Sequence, residues 1–167
     1  MMDPGIGAAR NNIHATGLVL GSAGIILRGE PGAGKSLLAL ELLEIWEWRR
    51  IPARLVSDDR VEIERGELGT PGPMLIMHAP QTIAGLIELR GRGIVRREFA
   101  SSAPVHLVVD LVDDFVRMIE EEDLATELLD VKLARCPVPR RGVVDSAHQV
   151  LLVQEALRQL GEISGTQ

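Results

Sequence analysis

The most informative stretch of this sequence is Gly29-Glu30-Pro31-Gly32-Ala33-Gly34-Lys35-Ser36, which follows the apolar run Ile25–Arg28 and precedes the leucine-rich segment 37–43. This order of strand, glycine-rich loop and helix is that of a P-loop. Glycines allow the tight turn in which backbone N–H groups face a phosphate, and the helix adds its free N-terminal N–H groups. Lys35 supplies a positive charge for the outer phosphates, and the Ser36 hydroxyl can ligate Mg²⁺. The stretch therefore predicts an α/β fold in which these residues form a nucleotide site.

Composition places the chain among globular proteins and limits its partners. Its 167 residues suit a single domain with a hydrophobic core, and 46% of them are hydrophobic. The net charge of −6 disfavours nucleic acid as a partner, and the single Cys136 excludes an internal disulfide. The longest apolar stretch, Gly17–Leu27, is too short to cross a membrane, and no signal peptide is visible. We expect a cytoplasmic protein without a membrane partner, with a flexible tail over 1–11 and one domain over 12–167.

Periodicity and turn residues predict the remaining elements. Asn12–Leu20 and Ile25–Arg28 are expected to be the two strands of a hairpin, and a helix should run from Ser36 to about Trp48. Near the C-terminus, Asp145 is expected to cap an amphipathic helix over residues 146–160. The other predictions are strands at 53–56, 61–63, 74–77, 87–90 and 104–112, a last strand at 128–133, and a rigid proline-containing connection at 137–142.

Acidic residues near the P-loop are candidates for a catalytic base or for metal ligands. Asp58 and Asp59 follow the short strand 53–56, where a polar turn is an equally good explanation. If the chain is extended there, one carboxylate faces the phosphates and the other points away. Asp110 follows an apolar run like the one whose aspartate holds Mg²⁺ in many P-loop enzymes, so it competes with Glu88 as the metal ligand.

Glu88 precedes a glycine-rich loop that carries several arginines. Alternation along a strand places Glu88 and Arg90 on the same side, and Arg92, Arg96 and Arg97 follow. The functional interpretation is a metal ligand followed by a loop that handles phosphate or a protein substrate; the alternative is an exposed strand end with a charged turn. His14 has two interpretations as well, a residue close to bound phosphate or an ordinary strand histidine.

Together these segments resemble the catalytic domain of HPr kinase/phosphorylase. The resemblance rests on four matches, which extend over residues 12–118: His14-Ala-Thr-Gly, the P-loop, Leu55-Val-Ser-Asp58-Asp59-Arg60-Val-Glu, and Leu86-Ile-Glu88-Leu-Arg90-Gly-Arg-Gly-Ile-Val95. P-loops occur in many families, whereas the segments at 55–62 and 86–95, in this order and spacing, are far more specific.

The resemblance implies a fold, an activity and a set of site residues. The family has a P-loop sheet with helices, similar to phosphoenolpyruvate carboxykinase, and it forms hexamers. It uses ATP and Mg²⁺ to phosphorylate a serine of the phosphocarrier protein HPr, and it removes that phosphate with inorganic phosphate, giving pyrophosphate. The implied roles are phosphate-site lining for His14, phosphate and Mg²⁺ binding for Lys35 and Ser36, an acidic pair including the base for Asp58 and Asp59, a second metal ligand for Glu88, and an arginine important for activity for Arg117.

The sequence also departs from the family pattern. The resemblance is to a short form with the catalytic domain only, so we expect no N-terminal regulatory domain of the kind that long members have. The basic Pro-x-Arg-Pro-Gly-Arg-Asn segment survives loosely at 137–142. The kinase direction is therefore expected more strongly than the phosphorylase direction. Two other functions fit a P-loop, a nucleotide-dependent binding switch and a small-molecule kinase. Phosphate transfer to a small acceptor protein distinguishes the kinase from the switch.

Overall fold

The computed structural model describes residues 9–67 and 72–164. Short 3₁₀ turns occupy Gln81–Ile83 and Glu121–Leu124. The strands and helices, in chain order, are β1 (Asn11–Ile13), β2 (Thr16–Leu20), β3 (Ala23–Arg28), α1 (Lys35–Trp48), β4 (Ala53–Ser57), β5 (Val61–Gly66), β6 (Met74–His78), β7 (Leu86–Leu89), β8 (Gly93–Arg96), β9 (Ser102–Pro104), β10 (Leu107–Val112), β11 (Ala125–Leu128), β12 (Val131–Pro139) and α2 (Ser146–Ser164).

A six-stranded sheet in the order β11-β12-β10-β3-β2-β4 forms the centre of the fold. Strand β10 pairs in parallel with both β3 and β12, whereas β2 and β11 pair antiparallel with their neighbours. Because β3 leads directly into the P-loop, the loop lies at the carboxyl edge of these parallel strands, where open α/β sheets bind their ligands.

The two faces of the central sheet are covered by different layers. Both helices pack on one face, where buried leucines of α1 meet the odd-numbered core positions Ile25, Leu27 and Val109. The other face carries a four-stranded antiparallel sheet, β1-β5-β6-β9, which packs against Ile26 and Val108. The predicted α/β class with a central sheet is confirmed, with both helices on the same side. Within the described ranges, no helix combines the length and the hydrophobicity that a bilayer-spanning segment needs.

Gly24 allows the two sheets to approach each other closely. A Cβ at this position would lie 1.8 Å from the carbonyl oxygen of Pro104, so no other residue fits. The backbone N–H of His106 donates to the carbonyl of Gly24 at 2.8 Å, and the N–H of Gly24 donates to Nδ1 of His106 at 2.9 Å. These reciprocal hydrogen bonds fix the segment that leads from the small sheet into β10.

A separate hairpin of β7 and β8 projects beside the P-loop helix. The N–H of Arg97 donates to the carbonyl of Gly85 at 2.9 Å, which closes the base of the hairpin. The Arg97 guanidinium also donates to Glu44 of α1 at 2.9 Å. The hairpin is therefore tied to α1, and it carries Glu88 on its first strand.

Several predicted boundaries are corrected by the structure. The strand predicted over 12–20 is interrupted after Ile13, and Asn11 belongs to β1 rather than to a tail; residues 1–8 lie outside the described residues. The strand predicted at 128–133 is interrupted by a turn, because Leu129 and Asp130 have φ of 48° and 59°; Leu128 ends β11, and residues 131–133 begin β12.

The prolines of the segment predicted as a rigid connection belong to β12 instead. Pro137 and Pro139 alternate with Cys136 and Val138, and β11 pairs with β12 only as far as Ala134. Consecutive residues of a strand direct their N–H groups to opposite sides, and the N–H of Arg140 faces β10, where it donates to the carbonyl of Val112. Pro137 and Pro139 therefore both place the missing N–H on the opposite, unpaired side. The predicted Asp145 cap is confirmed, because its Oδ1 accepts the N–H of His148 at 2.8 Å.

Cys136 is a packing residue between β12 and α2. Its thiol donates to the carbonyl of Leu152 at 3.6 Å, and burial raises its pKa to about 12. The thiol therefore stays protonated and is a poor nucleophile.

Candidate functional site

The P-loop adopts a conformation suited to holding phosphates. Gly32 and Gly34 have φ of 82° and 98°, values that side-chain-bearing residues rarely adopt. Lys35 is 6% exposed, and its Nζ donates to the carbonyls of Gly29 at 2.8 Å and Glu30 at 3.2 Å. The lysine is thus folded back over the loop and held by carbonyls rather than by a carboxylate, which keeps its charge directed at the space the loop encloses.

Asp58 connects the P-loop helix to three other elements. Its Oδ1 accepts hydrogen bonds from the hydroxyls of Ser36 at 2.7 Å and Thr16 at 3.0 Å, and its Oδ2 accepts the N–H of Glu88 at 3.3 Å. The residue lies immediately after β4, next to the fully buried Ser57. Asp58 therefore joins β2, α1 and the β7–β8 hairpin at the loop's edge.

His14 and Asp59 form a second pair close to Asp58. Nε2 of His14 is hydrogen-bonded to Oδ1 of Asp59, and both side chains are exposed. Asp59 has a φ of 65°, so the chain turns here instead of continuing β4. The expectation that one carboxylate faces the phosphates and the other points away is based on an extended chain, and this premise does not hold here, because the alternation applies only to extended chain. Asp58 faces the P-loop serine, and Asp59 faces His14.

Glu88 and Asp110, the two alternative metal ligands, differ in their surroundings. Both oxygens of Asp110 accept hydrogen bonds from arginines, Arg28 at 2.7 and 2.8 Å and Arg135 at 2.6 Å. Burial alone would raise the pKa of the Asp110 carboxyl, but these hydrogen bonds and charges outweigh it and hold the pKa below its ordinary value. A carboxylate engaged in this way is a poor metal ligand, whereas the exposed Glu88 adjoins Asp58 through its N–H.

The oxygen atoms around Ser36 fit a magnesium ion. Mg²⁺ usually takes one or two protein oxygens and completes its shell with phosphates and water. The Ser36 hydroxyl and the Asp58 carboxylate supply such oxygens at the P-loop, with Glu88 adjacent. Among residues 9–67 and 72–164, no three His, Cys, Asp or Glu side chains converge on one point. This donor set therefore suits a metal that arrives with a nucleotide.

Arg117 lies apart from these contacts. It is exposed and lines a cavity of about 430 Å³ together with Phe115, Arg135 and His148. In the part of the chain that the structure describes, Arg117 makes no hydrogen bond or ion pair with a P-loop residue. Its importance for activity stays a prediction.

Two residues beside the site were not identified as functional from the sequence alone. Thr16 is completely buried, and its hydroxyl donates to Asp58. The only sign of it in the sequence is a polar residue at the start of an apolar segment, two positions after His14. Arg141 borders the loop, since a Cβ at Gly34 would lie 3.3 Å from its Cβ. No local pattern connects Arg141 to a loop more than a hundred residues earlier.

A cavity of about 820 Å³ opens from the P-loop along α1. Its walls are the α1 residues Leu37, Leu40 and Glu41, the hairpin residue Leu89, and the segment 141–146 that leads into α2. Thr16, Asp58 and Asp59 do not line it. The volume lies in the range of ligand sites in proteins.

Comparison with known proteins places this geometry in a family. The model of the HPr Serine kinase C-terminal domain matches residues 7–159. The chain belongs to this family. The match covers the P-loop, the Asp58–Asp59 segment and the hairpin with Glu88, and it extends past residue 118, where the sequence resemblance had faded.

Relatives of the family support the same assignment. HPr kinase/phosphorylase of Bordetella avium (strain 197N) is 29% identical over 162 residues, which are 90% of this chain and 48% of the relative. HPr kinase/phosphorylase of Geobacillus thermodenitrificans is 33% identical over 142 residues, 77% of this chain and 42% of the relative. The chain thus spans about half the length of these relatives.

A solved structure has the same fold. The Hpr(Ser) kinase/phosphatase from Coxiella burnetii superposes with a TM-score of 0.69 at 23% identity, covering 92% of this chain and 95% of that one. At this identity the similarity concerns the arrangement of strands and helices.

Proposed function

We propose that this chain is an ATP-dependent protein serine kinase whose acceptor is an HPr-like phosphocarrier protein, with residues 12–167 acting as one catalytic domain. The observation that carries the proposal is the hydrogen bond of Asp58 to the P-loop hydroxyl of Ser36, with the His14–Asp59 pair beside it. Membership of the HPr serine kinase family and relatives named HPr kinase/phosphorylase support the acceptor.

Each residue of the site has a distinct part in the proposed reaction. Lys35 and the loop N–H groups bind the phosphates. Ser36 and Glu88 would hold Mg²⁺, and Asp58 supplies a further oxygen beside Ser36. When bound, Mg²⁺ neutralises charge on the phosphate oxygens. The acceptor serine oxygen forms a bond to the γ-phosphorus while the bond to the bridging oxygen of ADP breaks. Asp59 takes the serine proton, and His14 orients that carboxylate.

The reverse direction uses the same groups. Inorganic phosphate attacks the phosphorus of phosphoserine, pyrophosphate leaves the site, and the serine oxygen recovers its proton from Asp59. The relatives' printed name, kinase/phosphorylase, supports this second activity. A site that holds the outer phosphates of ATP has the charge to hold pyrophosphate, since Lys35 and the loop N–H groups contact phosphate oxygens and not the nucleoside.

We place the nucleoside of ATP in the 820 Å³ cavity. The cavity adjoins the P-loop at Gly34, and leucine and valine side chains form part of its wall. The acceptor serine must reach Asp59, so the nucleoside requires space that Asp58 and Asp59 do not border. This cavity meets that requirement.

We also propose an assembly and a location for the chain. We propose a homo-oligomer, a hexamer as in the family, in which the exposed Arg92 and Arg96 of the hairpin meet an acceptor docked across two subunits. A cytoplasmic location agrees with the use of ATP. Light scattering at working concentration tests the assembly, and a monomer would contradict it.

Phosphate transfer to an acceptor tests the function directly. The chain is incubated with ATP, Mg²⁺ and the HPr-like proteins of its own cell, and mass spectrometry locates the phosphate. We expect phosphoserine on the acceptor and none with the Lys35→Ala variant. Nucleotide binding without transfer to any acceptor would overturn the kinase and favour a binding switch.

A cavity-filling variant tests the nucleoside position. Val143→Trp, in the cavity wall, should weaken ATP binding at least about tenfold and leave pyrophosphate binding within about twofold. Leu151→Trp, on the exposed side of α2, is the matched control and should change neither. Equal ATP affinity in Val143→Trp and the wild type would place the nucleoside elsewhere.

A further inference from the structure

Arg28 is the residue from which the P-loop departs. It ends β3 and immediately precedes Gly29. Its guanidinium forms a two-point hydrogen bond with Asp110, from Nε to Oδ1 at 2.7 Å and from Nη2 to Oδ2 at 2.8 Å. Two parallel charge-assisted hydrogen bonds fix orientation as well as distance. Nη2 of Arg28 also donates to Oγ1 of Thr126 at 3.4 Å, but Asp110 is the only charged partner of Arg28 among the described residues. The position of Arg28 therefore depends mainly on this carboxylate of β10.

Asp110 is held in turn from its other side. Nε of Arg135, on β12, donates to Oδ2 of Asp110 at 2.6 Å, and Nη1 of Arg135 donates to the carbonyl of Asp123 at 3.1 Å. The side chains of Arg28, Asp110 and Arg135 are 29%, 14% and 21% exposed. We call these three residues the arginine–aspartate clamp. It joins the three parallel strands β3, β10 and β12 at the edge where the P-loop begins.

A chain of contacts leads from the clamp to the P-loop lysine. A Cβ at Gly29 would lie 3.0 Å from Cβ of Leu111, so the start of the loop rests against the residue that follows Asp110. The carbonyl of Gly29 accepts a hydrogen bond from Lys35 Nζ at 2.8 Å. A shift of Arg28 or of β10 therefore displaces the carbonyl that positions Lys35.

We propose that Asp110 is a positioning residue that, through Arg28, sets the conformation of the P-loop and so its affinity for phosphates. The proposal rests on the proposed nucleotide use of the loop. Asp110 lies on β10, beside the P-loop strand β3, but its carboxylate is hydrogen-bonded to two arginines and is therefore unsuited to a metal. The proposal gives this carboxylate a role. The metal and proton chemistry lies instead with Asp58 and Asp59, which follow β4.

The test compares two carboxylate-to-amide changes of equal size. Asp110→Asn removes the charge of the clamp, and Glu64→Gln removes the partner of His78, at 2.7 Å, in the four-stranded sheet. Affinity for ADP is measured by calorimetry at a temperature well below both melting points, together with the melting temperature. We expect about tenfold weaker ADP binding in Asp110→Asn and less than about twofold change in Glu64→Gln, because misplacement of preorganised groups is costly.

A second measurement covers the case in which Asp110→Asn does not fold. Arg135→Gln leaves the Arg28–Asp110 pair intact, so we expect a smaller loss of ADP affinity and faster hydrogen exchange of the amides in residues 29–36 than in Glu64→Gln. Wild-type ADP affinity and P-loop exchange in a clamp variant with a lowered melting temperature would show that the clamp is only structural. An enzyme that binds ADP but transfers no phosphate to an acceptor would refute the proposed function and leave this inference intact.

Discussion

The hydroxyl of Ser36 donates a hydrogen bond of 2.7 Å to the carboxylate of Asp58, which lies 22 positions further along the chain. Ser36 belongs to the first turn of α1, and Asp58 follows the edge strand β4. The contact brings the acidic segment to the one P-loop residue whose hydroxyl can ligate Mg²⁺. In the central sheet β2 lies between β4 and the P-loop strand β3. The contact therefore explains how a carboxylate that follows β4 can reach the P-loop.

A double-mutant cycle tests whether Ser36 and Asp58 act as a unit. We expect Ser36→Ala and Asp58→Asn each to lower kcat/KM for transfer by about a hundredfold or more, because both belong to the phosphate and metal site that we propose. The kcat/KM of the double variant should be only slightly lower than that of the less active single variant, because the first substitution already removes the joint effect of the two residues. Fully additive losses would mean that the two residues act independently.

The P-loop lysine is the next test. Lys35→Met keeps an unbranched side chain but removes the charge that carbonyls hold over the loop. We expect transfer to fall by at least about a hundredfold, as for other preorganised charges at developing negative charge. Lys132→Met, on the exposed side of β12, is the control and should keep wild-type activity. A folded Lys35→Met with normal transfer would contradict the assignment.

Local pattern was sufficient for the P-loop and for the elements beside it. The hairpin of β2 and β3, the strand before Asp58 and the capped C-terminal helix each have a sequence signal within a few residues. Local sequence patterns could not predict the contacts of Asp58, because its partners Thr16, Ser36 and Glu88 belong to three other elements whose packing depends on the whole sheet. The same limitation applies to Asp110, since its arginine partners lie 82 and 25 positions away.

The errors at β11 and β12 have a local physical cause. Leu129 and Asp130 both adopt positive φ, which aspartate tolerates but leucine rarely does, so the composition gave no turn signal. Prolines at 137 and 139 indicated a break in the strand, whereas they occupy alternate positions with their missing N–H groups on an unpaired side. In both places the pairing of neighbouring strands overrides the residue preference.

The base assignment is tested by an amide substitution at Asp59. Asp59→Asn should abolish transfer to serine while ATP still binds, because an amide cannot accept the serine proton. Asp130→Asn is the matched control: this exposed aspartate also has a positive φ, 59° against 65° for Asp59, so the backbone effect of the change is the same. Near-normal transfer by Asp59→Asn would remove the residue from the acid–base chemistry.

The close approach of the two sheets predicts a severe effect at Gly24. Gly24→Ala places a methyl group 1.8 Å from the carbonyl oxygen of Pro104, a backbone atom that cannot rotate away. We expect a loss of more than about 3 kcal/mol in the free energy of unfolding, or no folded protein. Gly161→Ala, on α2 with open space around its Cα, should instead stabilise the protein by about 0.5–1 kcal/mol. Chemical denaturation compares the two, and a well-folded Gly24→Ala would refute the contact.

The stability of the same junction should depend on pH through His106. Its Nδ1 accepts the N–H of Gly24 and must therefore be unprotonated, and burial lowers the pKa of His106 below its ordinary value of 6.5. Because the unfolded chain then binds the proton more readily, the stabilisation is complete above about pH 6.5 and is lost as the pH falls through the lower folded value. The chain also contains His14, His78 and His148. Unfolding curves between pH 5 and pH 8 are therefore compared with those of His106→Asn, in which only this contribution is missing. The wild type should lose stability relative to the variant on acidification, and parallel pH profiles would show that the imidazole is not the acceptor that holds Gly24.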